Sequence, residues 1–220
     1  MTCLFQTGCL PPGAVNGQAI SQLFYDSLAL SAWKSTGETR WALRVNASSG
    51  NLHPTEVYLV CAPVKGLCDM PMVCHYAPWL HGLEVLAQFD TGLWETLRRP
   101  FPAHTLFIGL ASMHRREAWK YGLGAYRYCR HDAGRAMGAI SMAAAGLGAQ
   151  TRLLDELGAD DLELLMGTFR HHHAEREEPD MLIACMPHNL EGKQPSLREA
   201  SLDLCESLAW RRPNQLRGSR

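Results

Sequence analysis

Apolar positions in this chain change period several times, and the changes divide it into strands and helices. Three short unbroken apolar runs, 57–62, 105–111 and 181–186, are bounded by proline, glycine and polar clusters. Runs of that length and setting predict buried strands, and 72–76, ahead of Pro78, predicts a weaker one. Ile20, Leu23, Phe24, Leu28 and Leu30 follow helical rather than alternating spacing and predict a first helix over 19–30. Further helices are expected over 93–98 and 115–121, and the longest over 126–147. Asp160-x-x-Glu163 and Ser196-x-x-Glu199 have the form of capping boxes, which places helix starts near 161 and 197. Strands this widely separated and interleaved with helices imply an α+β layered fold.

With 220 residues, 46% of them hydrophobic and 20% charged, the chain can build one substantial core. The expected domain spans 18–210. Residues 1–17, with Pro11-Pro12-Gly13 and Asn16-Gly17, carry turn chemistry and predict a loosely ordered start; 211–220 reads as a tail or junction. A net charge of −1 gives no electrostatic ground for binding nucleic acid or an anionic membrane. Residues 1–12 lack the basic start and long apolar stretch of an export signal, and the longest apolar run, 136–149, is too short for a bilayer, so a cytoplasmic protein is expected. The eight cysteines contain no Cys-x-x-Cys pair. Free, mostly buried thiols are expected, with Cys61 and Cys185 inside strands, and neither structural zinc nor disulfides. His171-His172-His173 looks like a metal hook, but adjacent side chains diverge on any regular backbone, which favours a solvated helix end or loop.

Chemistry concentrates in Arg44-Val45-Asn46-Ala47-Ser48-Ser49-Gly50-Asn51-Leu52-His53-Pro54, immediately ahead of the strand at 57–62. A guanidinium, two hydroxyls, carboxamides, an imidazole and flexible backbone N–H groups could hold a polar ligand at the end of a sheet. Serine, asparagine, glycine and proline are also the ordinary makings of a loop. With the flanking Leu30-Ser31-Ala32-Trp33-Lys34 and Thr55-Glu56-Val57-Tyr58, this segment resembles the flavin-binding turn of the nitroreductase superfamily, closest to the branch with the thiazole- and oxazole-forming peptide dehydrogenases. Tyr126-Arg127-Tyr128-Cys129-Arg130-His131-Asp132-Ala133-Gly134-Arg135, followed by Ala143-Ala144-Ala145-Gly146-Leu147-Gly148, resembles that family's long central helix and its exit.

The resemblance implies a central mixed or antiparallel sheet flanked by helices, an FMN cofactor, and a small-molecule or peptide substrate. It places Arg44, Ser48, Ser49, Gly50 and Asn51 along the flavin, with His53 either at the ring edge or hydrogen-bonded within its own turn. Thr151, Arg152 and Leu153 fall where the family sets backbone N–H groups beside the reactive ring nitrogen. No catalytic side chain is assigned, since a flavin itself accepts and donates the hydride. Small residues at Ala133, Gly134, Gly138 and Ala143 to Ala145 suit either core packing or a subunit interface; the resemblance implies the interface, within a homodimer or against a second nitroreductase-like half.

Two features depart from the family pattern. No Arg or Lys precedes Lys34, where a phosphate-gripping arginine element is usual, and Trp210-Arg211-Arg212-Pro213 resembles the junction to a second repeat. Arg98, Arg99, Lys193 and Arg198 could replace the grip or be plain surface charges. Three functions follow: an FMN-dependent oxidoreductase moving hydride or electrons between NAD(P)H or substrate and an acceptor; a non-catalytic half that binds flavin weakly or not at all; and, more remotely, a metal-dependent hydrolase using the histidine cluster and Cys74-His75.

Overall fold

The computed structural model describes residues 10–170 and 176–188. Its elements are α1 (Gly17–Ser27), β1 (Leu30–Ser35), β2 (Arg40–Arg44), β3 (Thr55–Cys61), β4 (Met72–Ala77), β5 (Gly82–Gln88), α2 (Thr91–Arg98), β6 (Leu106–Ser112), α3 (His114–Tyr121), α4 (Ala125–Gly146), β7 (Ala149–Leu154), α5 (Ala159–Met166) and β8 (Glu178–Pro187). Six strands form one antiparallel sheet in the order β5-β4-β3-β6-β8-β7, and β1 and β2 pair in a separate hairpin.

Every residue of β3 and β6 is buried, which explains why both read as continuous apolar runs. Strand geometry sends alternate side chains to opposite faces. Val57, Leu59 and Cys61 pack with Ile20, Leu23 and Phe24 of α1 and Ala136, Ile140 and Ala144 of α4. Tyr58 and Val60 pack on the other face with Trp94 and Leu97 of α2 and Leu162, Leu165 and Met166 of α5. Each such large apolar side chain contributes about 1.5–3 kcal/mol by leaving water. At Gly109 in β6 an added Cβ would lie 2.2 Å from Met166 Sδ, so the missing side chain is what lets α5 settle onto the sheet.

The helices start where their caps dictate. Asn16 Oδ1 accepts from Ala19 N at 2.9 Å, and Asp90 Oδ1 accepts from Leu93 N at 2.9 Å, each satisfying an orphan donor of the first turn. The helix expected near 161 begins two residues earlier. Gly158, not Asp160, is its N-cap, and Gly158 N donates to Asp161 Oδ2 at 3.0 Å. The longest helix, α4, runs from Ala125 to Gly146.

Four strands lacked a sequence signal. In β1 every residue after Leu30 is exposed, so no apolar face marks it; Trp33 is instead held by Arg40, 4.2 Å above its ring, and by Trp79 edge-on at 5.3 Å. β2 shares that hairpin, while β5 and β7 are sheet edges with incomplete burial. Residues 10–16, expected to be loose, run against the exit of α4: Gly13 N donates to Leu147 O at 3.2 Å, and a Cβ on Gly148 would meet Pro11 O at 2.0 Å. The helix expected near 197, the histidine cluster 171–173 and the tail 211–220 lie outside the described residues. Among the described residues no helix is long and apolar enough to cross a membrane.

Candidate functional site

The polar turn connects β2 to β3, and its shape comes from a short 3-10 segment, Ser49–Asn51, with Gly50, Asn51 and His53 all at positive φ (62°, 60° and 52°). Two non-glycine residues in that region mark a backbone held by its surroundings rather than by local preference. The restraints are visible. Asn51 Nδ2 donates to Ala42 O at 2.9 Å, His53 N donates to Ser48 Oγ at 2.8 Å, and Arg44 Nη1 donates to Thr55 O at 3.2 Å.

The strongest restraint comes from α4. Asp132, 1% exposed, accepts from Ser49 N through both carboxylate oxygens at 3.0 Å each, and from Ser49 Oγ at 3.0 Å. Arg135, one helical turn on, reaches both Asp132 Oδ1 at 2.5 Å and Ser49 Oγ at 3.1 Å. From α3, Arg116 Nη1 donates to His53 O at 2.7 Å and also pairs with Glu56. The turn is thus fastened by a carboxylate on one side and a guanidinium on the other.

Two side chains of α3 close over it. A Cβ on Gly50 would lie 2.6 Å from both Lys120 Nζ and Tyr121 Oη, so an ammonium and a phenol head sit directly on the glycine. The sequence reading missed Asp132, Arg116, Lys120 and Tyr121 as site residues. The available signal was the polar helix of 114–121, with Lys120-Tyr121 ending it just before Gly122-Leu123-Gly124, and the i,i+3 pair Asp132/Arg135, in which Asp132 is the one acidic residue of 125–146.

Behind the turn lies a network of buried charge. Burial opposes ionisation of Glu56, but the His75 hydrogen bond and Arg116 outweigh it and hold its carboxyl below the usual range. Burial likewise opposes the charge on His75, yet its bonds to Glu56 and Glu84, both 3.0 Å, raise it to about 9. Glu177, buried and close to Glu56, is pushed up to about 7 although Tyr58 Oη donates to it at 2.5 Å. In α3, Glu117 is fully buried with no hydrogen-bond partner on either oxygen, and burial plus the nearby Asp132 raise it to about 7. Burial, with Arg44 alongside, lowers His53 to about 4, so its imidazole is neutral.

Whether this turn suits a flavin depends on what remains uncommitted. The His53 ring hydrogen-bonds the Ala42 backbone, Oδ1 of Asn46 is buried without a hydrogen-bond partner, and the Lys120 and Tyr121 heads face the same turn. Those groups fit the polar edge of a ring heterocycle. Arg44, Ser49 and Asn51, by contrast, spend their side chains inside the protein. Thr151, Arg152 and Leu153 lie on the edge strand β7, and Thr151 Oγ1 meets Ser141 Oγ of α4 at 2.6 Å. Ser141 stands roughly 13 Å along α4 from Asp132 at the helical rise per residue. The turn and β7 therefore meet α4 at points about 13 Å apart along its axis. A cavity of about 340 Å³ lies at the far end of α4, between Val15, Leu23, Leu106, Ala144 and Leu147, and no turn residue lines it. Along α4, Gly134 and Gly138 open onto free space: a Cβ at either meets nothing within 4 Å.

A two-sided antiparallel sheet with a long small-residue helix on one face, and a fastened polar turn entering its central strand, is the nitroreductase fold. The chain is similar over 80% of its length to a candidate nitroreductase from Anabaena variabilis (TM-score 0.66, 22% identity), of which it spans 37%. It is also similar to a chain of the E. coli microcin synthetase McbBCD complex with truncated pro-MccB17 bound (TM-score 0.62, 16% identity, 82% of this chain and 66% of that one). A third likeness is to a candidate nitroreductase from Ralstonia eutropha (TM-score 0.58, 14% identity, 86% and 83% covered). The resemblance read from the sequence thus holds at the level of the fold. No protein-family profile and no curated protein matches the sequence.

Proposed function

We propose that the chain is an FMN-dependent oxidoreductase of the nitroreductase type, transferring hydride or electrons between NAD(P)H or a substrate and a small-molecule or peptide acceptor. The observation that carries this reading is the turn itself: a buried, unpartnered carboxamide oxygen on Asn46 beside the neutral imidazole of His53, with Lys120 and Tyr121 poised over Gly50. A bound flavin would supply the redox chemistry. The protein's part is to hold it and to set the charge at its edge. His53 is neutral and can donate or accept one hydrogen bond, Lys120 offers a cation to an electron-rich ring or phosphate, and backbone N–H groups of Gly50 and of β7 offer further donors.

A second chain or second half completes the pocket in this reading. The exposed Gly134 and Gly138 face of α4 and the exposed β1–β2 hairpin favour it, because an isolated two-stranded hairpin is marginal in water. The likeness to a chain from a peptide-bound synthetase supports a peptide acceptor and an assembly. A cytoplasmic location accords with this chemistry.

Mixing the purified chain with FMN is the direct test. Expected is stoichiometric binding, read as quenched flavin fluorescence, and reduction of the bound flavin by NAD(P)H or by a peptide substrate. No uptake by the chain would overturn the reading in favour of a non-catalytic half. In that alternative the committed side chains of Arg44, Ser49 and Asn51 and the Asp132 carboxylate serve only to hold the turn.

A further inference from the structure

The end of β3 gathers thiols that the flavin reading does not use. Cys61 is the last residue of β3 and is fully buried; Cys74, also fully buried, lies on the neighbouring β4, where Leu59 is its register partner. Between them the chain makes a tight hairpin. Val64 N donates to Cys68 O at 2.9 Å, Cys68 N donates to Val64 O at 3.0 Å, and Gly66 turns it at φ 79°. That hairpin folds Cys68 back onto the strand end, where Cys68 Sγ donates to Ala62 O at 3.5 Å and Cys68 packs against the core cluster that holds Cys61.

The two thiols differ in the way an attacking and a resolving cysteine must. Cys68 is partly exposed, while Cys61 is sealed in the core. The neighbouring Cys61 pulls the Cys68 thiol below its ordinary range, and the same contact with burial pushes the Cys61 thiol far up. Exposure therefore makes Cys68 the sulfur that a peroxide reaches, attacking once its proton is lost, and burial makes Cys61 the neighbour that resolves it.

We propose that Cys68 and Cys61 form a reversible disulfide under hydroperoxide, closing the 61–68 hairpin. The Cys68 thiolate attacks the distal oxygen of the hydroperoxide; the O–O bond breaks, the alkoxide takes a proton from solvent and leaves as alcohol, and Cys68 becomes a sulfenic acid. The Cys61 sulfur then attacks that sulfur, the S–S bond forms, and the hydroxyl leaves as water with the Cys61 proton. The two electrons lost by the thiols are those gained by the peroxide. The structural consequence falls on α1, because the hairpin holds its first turn: Gly17 N donates to Lys65 O at 3.0 Å.

Trypsin cuts the chain between the two cysteines, which makes the test direct. Cys61 falls in peptide 45–65, and Cys68 and Cys74 fall in 66–98. The reduced full-length protein is treated with hydrogen peroxide, its remaining thiols are alkylated, and it is digested. Expected is a linked 45–65/66–98 pair, lighter by two hydrogens than its parts and separated by dithiothreitol. The link should survive in Cys74→Ser and vanish in Cys68→Ser, whose circular dichroism should match the parent. A link that persists in Cys68→Ser, an oxidised Cys68 beside a fully alkylated Cys61, or no oxidation of either would each overturn the proposal. None of these outcomes depends on flavin binding.

Discussion

Replacing Asp132 should undo the turn more than any substitution within the turn itself. Its carboxylate is 1% exposed and accepts three hydrogen-bond contacts from Ser49, two of them from one backbone N–H. Hydrogen bonds to a charged group are worth about 1.5–3 kcal/mol, and orphaning a buried donor costs a further ~1–3 kcal/mol. Ser49 is only half-buried, so water recovers part of the second amount. Asp132→Ala should therefore lower stability by about 2–3 kcal/mol.

Asp132→Asn separates geometry from charge. The amide oxygen can still accept from Ser49 N, and the lost partner, Arg135, is 46% exposed, so that pair contributes about 0.5 kcal/mol at most. The asparagine variant should sit within about 1 kcal/mol of the parent. Urea unfolding measures both variants, and amide hydrogen exchange at residues 48–50 shows whether the loss is local. If the turn is the flavin site, FMN affinity should fall about 10- to 100-fold in Asp132→Ala, equivalent to about 1.4–2.7 kcal/mol. An alanine variant within ~0.5 kcal/mol of the parent, with unchanged exchange at Ser49, would refute the idea that α4 holds the turn.

Other outcomes are equally specific. Gly50→Ala places a Cβ at φ 62° and against Lys120 and Tyr121, so it should cost about 1–2 kcal/mol in stability and weaken FMN binding further by displacing both heads; binding titration against urea unfolding separates the two effects. Gly109→Ala drives a Cβ into Met166 and should destabilise by about 1–3 kcal/mol through overpacking, read by thermal unfolding. Stability should fall on both sides of a slightly acidic optimum. Glu177, raised to about 7, favours the native state fully below its unfolded value of 4.5, and that contribution is lost as pH rises through 7; His75, raised to about 9, loses its contribution as pH rises from 6.5 through 9. His53, lowered to about 4, contributes above 6.5 and loses its contribution as pH falls through 4. Glu177→Gln removes the Glu177 contribution, so its urea midpoints should gain on those of the parent as pH rises from 4.5 to 7, and a constant difference between the two profiles would contradict the assignment.

What the sequence disclosed and what it hid follow from where each element meets water. β3 and β6 are buried on both faces, so their apolar runs were unambiguous, and α4 announced itself by length. β1 is exposed along nearly all its length and is held by Trp33, Arg40 and Trp79, contacts that leave no periodic trace. The turn was legible as composition because loop chemistry is local, yet the reason for its shape was not. Ser49 is tied to an aspartate 83 residues away, and Asp132 in sequence is only one of a run of charged positions in the first half of α4, beside Arg127, Arg130, His131 and Arg135. That distance carries a consequence for the site. A turn with two non-glycine residues at positive φ cannot keep its form until α4 has docked, so any ligand it holds depends on helix–sheet packing being complete. The face of α4 opposite Asp132 carries the open glycines Gly134 and Gly138, so a second chain docking there would bear on the helix that fixes the turn. Association and ligand affinity should then be linked through α4, and FMN affinity should rise with protein concentration if that face is the interface.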